Sequence, residues 1–316
     1  MTAGWIGPSV WREGGLEARL VDLKRDVALI PRVAIHLNRE TNSGVKYDPA
    51  RDLVALYAAG TGSGSFYREV ARTADCAPED VVAGDLVLYN NQPGTVWGPE
   101  GEFVSAPRLD DLACVFACTE GFLTAQERDM VPVLCVFDNE EIGSETKQGA
   151  ASVFLPETLA AISEALGLSA VDHRALLADS MMLSCDNGHA RHPNHPELAD
   201  TNEAPVPNGG VVVKHSPRYA TDGVSAAVFT ELCRRAEVPV QHYANRPDQM
   251  GGATLGNIAD TKLPIPTVDI GMAQLAMHSC YETAGARDTV SLIRLMEEFY
   301  ASHFEETASG TLTICK

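Results

Sequence analysis

The stretch Val131–Ser144, VPVLCVFDNEEIGS, does most to limit what this chain can become. Val131, Val133, Leu134, Cys135, Val136 and Phe137 have the pattern of a strand buried on both faces, which predicts a sheet covered by helices on either side. Asp138, Glu140 and Glu141 crowd its C-terminal end, where open α/β sheets place ligands. Carboxylates so close together repel one another unless a cation or protons intervene. An adjacent Glu–Glu pair can divide labour, one carboxylate holding a metal while the other takes a proton from the water that the metal activates. A solvated acidic turn after a core strand is the competing reading of this segment alone.

At 316 residues the chain has room for one large domain or two modest ones. Its formal net charge of −19, from 43 acidic against 24 basic residues, repels nucleic acid and anionic membranes, so neither is an expected partner. No apolar run reaches the length of a membrane span, and MTAGWIGPSVWREGG lacks the basic segment and apolar core of a signal peptide. The eight cysteines are scattered, form no CxxC pair and often sit within apolar stretches. That usage predicts free thiols in a reducing cytoplasm.

The clearest change of composition is Asn90–Glu102, NNQPGTVWGPEGE, a connection rich in Gly, Pro and Asn. Before it, Val27–Leu37 is β-rich but broken by Pro31, Phe66–Ala74 and Pro78–Val82 read as short helical pieces, and Asp85–Tyr89 as a strand. After it, strands and helices alternate. Leu112, Val115, Phe116, Phe122 and Leu123 recur at helical spacing within Leu109–Gln126. Glu157–Leu166 reads as a helix, and Met181–Cys185, Val211–Val213, Val238–Tyr243 and Ile265–Ile270 as strands. Val224, Val228 and Leu232 mark a helix capped by Asp222, and Val290–Phe304 a final helix capped by Asp288. The expected fold class is α/β, a mixed sheet flanked by helices with a smaller β-rich domain before it.

Five acidic or histidine residues lie at the edges of ordered elements. Asp110, beside Asp111, opens a helix, where anions are favoured in any case. Glu140 and Glu141 follow a strand, and Asp186 follows another. His278 lies just beyond the strand Ile265–Ile270. A lone histidine there is as readily a hydrogen-bonded core residue. Taken together, carboxylates and imidazole at neighbouring strand ends make a site suited to zinc, manganese or cobalt. His189, His192 and His195 are interrupted by Pro193, which argues against a helical ligand face and leaves them as structural or rim residues.

In order along the chain stand IPRVAIHLNRE, NQPGTVWG with EFVSAPRLDDL, FDNEEIGSETKQGA, SCDNGHARHPNH, VVVKHSPRYATD, GGATLGNI and VDIGMAQLAMHSCYE. With these motifs the chain resembles the aspartyl aminopeptidase family of di-metal aminopeptidases. The resemblance implies two Zn2+ ions per subunit, with Mn2+ or Co2+ as alternatives. By that resemblance Asp110 bridges the two metals, Glu141 is a ligand, Asp186 a terminal ligand of one metal and His278 a ligand of the other. It makes Glu140 the general base. Lys214 and His215 would line the substrate pocket, where a cation suits a carboxylate side chain. Gly252 and Thr254 would belong to a loop whose main chain approaches the substrate. His36 would reach from a dimerisation domain into the partner subunit's active site, within a homo-oligomer built from dimers.

The family pattern also has an HxD motif in a catalytic segment ahead of the dimerisation domain. No such motif occurs here, where the first histidine is His36. The expectation is therefore a dimerisation domain over residues 1–89, shortened at its start, and a catalytic domain over 90–316 that lacks one ligand. Tyr281 stands where many relatives have arginine, which bears on specificity for acidic residues. The expected function is a cytoplasmic metalloaminopeptidase acting on peptides with N-terminal Asp or Glu. The rival is an inactive fragment that serves only in assembly, and an HxD-containing segment upstream would separate the two.

Overall fold

The computed structural model describes residues 2–12, 15–60, 62, 64–126, 130–249, 251–308 and 311–315. The chain divides into two compact units, Met1–Pro93 and Gly94–Lys316.

In the first unit β1 (Thr2–Arg12) is the centre of an antiparallel sheet. β4 (Val81–Tyr89) runs along one side of it, and β2 (Gly15–Ala18) and β3 (Val21–Asp26) follow each other along the other. The one-turn α1 (Pro49–Asp52) begins on Asp48, whose side chain accepts the Ala50 amide. Val70 and Ala74, in and just after α2 (Ser65–Thr73), pack with Val21, Leu23 and Val27 as a small core. The expected helix at 66–74 is there, whereas only Pro78–Asp80 of the second piece turns helically before the chain enters β4.

The second unit is α/β, with a mixed sheet flanked by helices. Its longest strand, β11 (Thr267–Leu275), is buried from Thr267 to Gln274. β9 (Val211–His215) lies antiparallel to it and carries β10 (Val240–Ala244) parallel on its outer edge. β7 (Met182–Cys185) and β8 (Gly188–His189) run parallel to β11 in one register, interrupted at Asp186 and Asn187. β12 (Glu282–Gly285), β6 (Phe103–Ala106) and β5 (Thr95–Trp97) extend the sheet antiparallel. The interruption brings the chain close to β11: a Cβ on Gly271 would lie 1.9 Å from the Asp186 carbonyl oxygen. Only glycine permits that approach.

Val211 and Val213 of β9 point into the main core with Val268, Ile270 and Met272, while Val212 packs with Tyr243 and Ala273 in a separate cluster, as strand alternation requires. Helices α3 (Leu109–Thr124), α6 (Gly223–Arg235) and α8 (Asp288–Tyr300), with Val238 after α6, supply the rest of the main core. α4 (Phe154–Ala165), α5 (Ala170–Ala178) and α7 (Leu255–Asp260) complete the helices, and β13 (His303–Ala308) pairs with β14 (Thr311–Cys315) as a terminal hairpin. Asp222 caps α6 as expected, its Oδ1 accepting from the Val224 and Ser225 amides.

Four expectations need correction. Val131–Phe137 forms no strand among the described residues, and Val131, Val133 and Val136 are exposed. Leu134 meets the main core while Cys135 and Phe137 meet the cluster of Leu155, Leu263 and Ile265, so the segment is extended and packed. No described strand pairs with it, and apolar β-rich sequence makes a strand only against a partner backbone. α3 is the helix expected, but Leu112, Phe116 and Leu123 are exposed and its buried residues are Cys114, Ala117, Cys118 and Gly121. α8 packs so closely on that small-residue face that a Cβ on Gly121 would meet the Met296 Cβ at 2.4 Å. Asp288 does not cap α8. It is buried and its two oxygens accept the Asn208 and Gly210 amides. Finally, α8 stops at Tyr300 because His303 onward pairs in the hairpin.

Candidate metal centre

Asp110 sits before the regular part of α3. Arg108 is left-handed, Asp110 and Asp111 have non-helical dihedrals, and their peptide is cis. Left-handed backbone at residues other than glycine also occurs at Asn139 and Ser144, around the 140–142 turn, and at Ala276 and His278 after β11. Such conformations gather where tertiary structure over-determines the chain, often at functional sites.

These three segments converge. His278 Nε2 lies 3.2 Å from Asp110 Oδ2 and 3.0 Å from Glu141 Oε2. One ligand atom from each residue falls within 4.8 Å of the others, and Asp110, Asp111 and Asp186 form a second group of the same kind. Asp110, Glu140, Glu141, Asp186 and His278 all line one cavity of about 320 Å³.

The electrostatics of this cavity are those of crowded anions. Burial, then the Asp186, Glu141 and Glu282 charges, push Asp110 up to about 8. Burial and the Asp186 and Glu141 charges push Glu140 up to about 7. Burial, followed by Asp186, raises Asp111 well above the usual carboxylate range. The buried Oδ1 atoms of Asp110 and Asp111 find no hydrogen-bond donor among the described residues. Hard oxygen donors with one imidazole, crowded and short of donors, fit a divalent cation.

The remaining positions separate. Lys214 and Gly252 line the cavity, and His215 and Thr254 are not among its lining residues. Lys214 is buried, with Nζ donating to Asp186 Oδ2 at 3.0 Å and to the Asn187 carbonyl at 3.2 Å. Burial alone would lower its ammonium, but the Asp186 and Asp269 charges raise it above the usual lysine range. His215 Nε2 lies 3.0 Å from His242 Nδ1, with the two rings stacked, and burial lowers its pKa. Thr254 is buried at the start of α7. His36 is exposed in the first unit. His189 lines the cavity, whereas His192 and His195 are exposed.

Sequence reasoning missed two residues. Glu282, 2% exposed, accepts the Asp110 amide on Oε2 at 2.9 Å and the His278 amide on Oε1 at 2.7 Å. Asn187 donates from Nδ2 to the Leu109 carbonyl at 2.9 Å and to Gln274 Oε1 at 3.1 Å. The one available signal was a carboxylate opening the otherwise small, apolar run ETAG, since a charge at a buried strand position needs partners.

A family model, Aminopeptidase I zinc metalloprotease (M18), matches residues 9–300. The chain belongs to the M18 aminopeptidase family. It is 40% identical over 292 residues to a Clostridium acetobutylicum protein described as a probable M18 family aminopeptidase 2, covering 90% of this chain and 67% of that protein. A Mycobacterium leprae protein with the same description is 38% identical over 286 residues, with the same coverage. Among solved structures, this M18 chain is similar to one described as the Ape4 and Nbr1 complex, with a TM-score of 0.88 and 26% identity. That match covers 95% of this chain and 62% of the other. It is also similar to the S. cerevisiae mApe1 dodecamer, with a TM-score of 0.78, 28% identity, and 95% and 68% coverage. The chain thus spans about two thirds of the length of its M18 relatives. Among the described residues, no helix of this M18 chain is long and apolar enough to cross a membrane.

Proposed function

We propose that this chain forms part of a metal-dependent aminopeptidase that removes N-terminal Asp or Glu from peptides. The observation that carries the reading is the convergence of Asp110, Glu141 and His278 within 4.8 Å, in a cavity that Glu140 and Asp186 also line. In this reading Asp110, Glu141, Asp186 and His278 would hold the zinc ions, with manganese or cobalt as substitutes. Bound there, zinc would supply Lewis acidity toward the scissile carbonyl and the attacking water. Glu140 accepts that water's proton on its carboxylate and delivers it to the leaving amine. The remaining carboxylates attract the substrate's free α-amine, which selects for cleavage at the peptide terminus.

Preference for an acidic first residue would come from Lys214. Two of its three N–H donors go to Asp186 and Asn187, so it acts on a substrate carboxylate through its field and its remaining donor. Gly252 contributes open main chain at the cavity wall. The first unit serves as the dimerisation domain, and His36 acts in the partner subunit's site. Exposed Leu86, Val87 and Leu88 on β4 support burial of this unit against another chain. The dodecamer described for the yeast relative supports a larger closed assembly. The surface charge and thiol usage support a cytoplasmic setting.

The test is hydrolysis of aspartyl, glutamyl and leucyl amides by the chain as written. Chelator-sensitive activity, restored by zinc or manganese and greater on the acidic substrates, is expected. Metal-independent hydrolysis, or none with metal bound, would refute the reading. For His36, mixed dimers of His36→Ala and Glu140→Gln subunits should recover one competent site. No recovery in dimers shown to form would remove the trans role.

A further inference from the structure

We infer that Glu282 is a positioning residue that sets the spacing of the metal-binding side chains, an inference that rests on the function proposed above. Its two carboxylate oxygens are each used on a backbone amide. Oε1 holds the amide of His278, four residues back in the loop before β12, and Oε2 holds the amide of Asp110, 172 positions away in sequence. One rigid group therefore ties together the two backbones whose side chains meet at 3.2 Å.

The arrangement is stiffer than two hydrogen bonds suggest. The Leu109–Asp110 peptide group is gripped at both ends, because its N–H goes to Glu282 Oε2 while its C=O accepts Asn187 Nδ2. Asn187 is itself fully engaged. Its Nδ2 also reaches Gln274 Oε1, and its Oδ1 accepts the Met272 amide at 3.3 Å and the Cys114 thiol at 3.2 Å. The plane of that peptide, from which the Asp110 side chain departs, is held by Asn187, between β7 and β8, together with β11 and β12.

The side chain has to be a carboxylate. Two N–H groups converge on it, and an amide could meet only one of them with oxygen while turning its own NH2 toward the other. A buried anion is costly to keep. The two amides offset part of that cost, and cations bound beside this cluster of carboxylates would offset more of it, so the charge of Glu282 also favours cation occupancy. Residues that orient metal ligands without touching the metal commonly govern affinity by about 10–100-fold.

Asp288 provides an internal control. It is likewise a buried carboxylate accepting two backbone amides, from Asn208 and Gly210, and it does not line the cavity. Glu282→Gln and Asp288→Asn should therefore cost similar thermal stability in the metal-free protein but differ in metal binding. Zinc affinity, measured by competition with a chromophoric chelator, should fall about 10–100-fold in Glu282→Gln and less than about 2-fold in Asp288→Asn. The visible spectrum of the Co2+ form should change only in Glu282→Gln. Equal zinc affinity in the two variants overturns the inference. Amide hydrogen exchange on the unaltered chain keeps it testable if Glu282→Gln fails to fold. The Asp110 and His278 amides should be protected together without metal, and free exchange of either overturns the inference. Absence of zinc binding by the unaltered chain would sink the proposed function, while the exchange result would still report on the clamp.

Discussion

Replacing Gly271 by alanine probes the junction between fold and site. The new Cβ would lie 1.9 Å from the Asp186 carbonyl oxygen, 2.7 Å from its carbon and 3.0 Å from Asn187 Cα. All three are backbone atoms, so no side chain can swing aside. Restoring ordinary contact at 3.4 Å requires the β8 side of the sheet to move by roughly 1.5 Å. The bond from the Asp186 amide to the Ile270 carbonyl, now 3.0 Å, would not survive that shift. Overpacking costs ~1–3 kcal/mol and a lost ladder bond ~1 kcal/mol. A total of about 3 kcal/mol corresponds to a fall in Tm of about 6–12 °C for a domain of this size. Asp186 and Asn187 move with the strand, so zinc affinity should fall as well. Gly223→Ala, where a Cβ meets nothing within 4 Å, is the control and should change Tm by less than about 2 °C. Differential scanning calorimetry with chelator competition reads both quantities. If Gly271→Ala melts within 2 °C of the unaltered chain and binds zinc equally, the close approach of β11 to Asp186 is wrong.

Glu140→Gln should abolish turnover and leave zinc affinity within about 3-fold, because the amide keeps the shape but accepts no proton. Asp110→Ala should lose metal, and equal metal loss in both variants would contradict the division of labour. Asp222→Ala removes an oxygen that accepts two amides at the start of α6 and should cost ~1 kcal/mol in urea unfolding, with no effect on metal binding. Burial pushes Asp288 up to about 6, above the ordinary carboxylate value, although the Asn208 and Gly210 amides pull the other way. The folded chain then holds this proton more tightly than the unfolded one. Its contribution is fully present below about pH 4 and is lost as pH rises through about 6. Carboxyl-carbon NMR should find the Asp288 midpoint near 6, and a midpoint below 4 would show that the amides outweigh burial.

Local signals in the sequence sufficed for α3 and α6. Helical period and the Asp222 cap act over three or four residues, within reach of neighbours along the chain. The identities of the carboxylates and histidine at the ends of ordered segments were legible for the same reason. Which face of α3 is buried was not, because that depends on how closely α8 approaches Gly121. Val131–Phe137 has strand composition but pairs with no described strand, and no property of the segment itself could reveal that. Asp288 stands where a cap would stand, yet the turn at Asn208–Gly210, remote in sequence, claims its oxygens. The Lys214–Asp186 pair and the Glu282 clamp likewise join residues 28 and 172 positions apart. Composition and periodicity determined the kinds of element and the inventory of charged groups. Only the tertiary structure decided which backbone edges, amides and carboxylates meet, since hydrogen bonds and burial are settled between segments that sequence spacing does not relate.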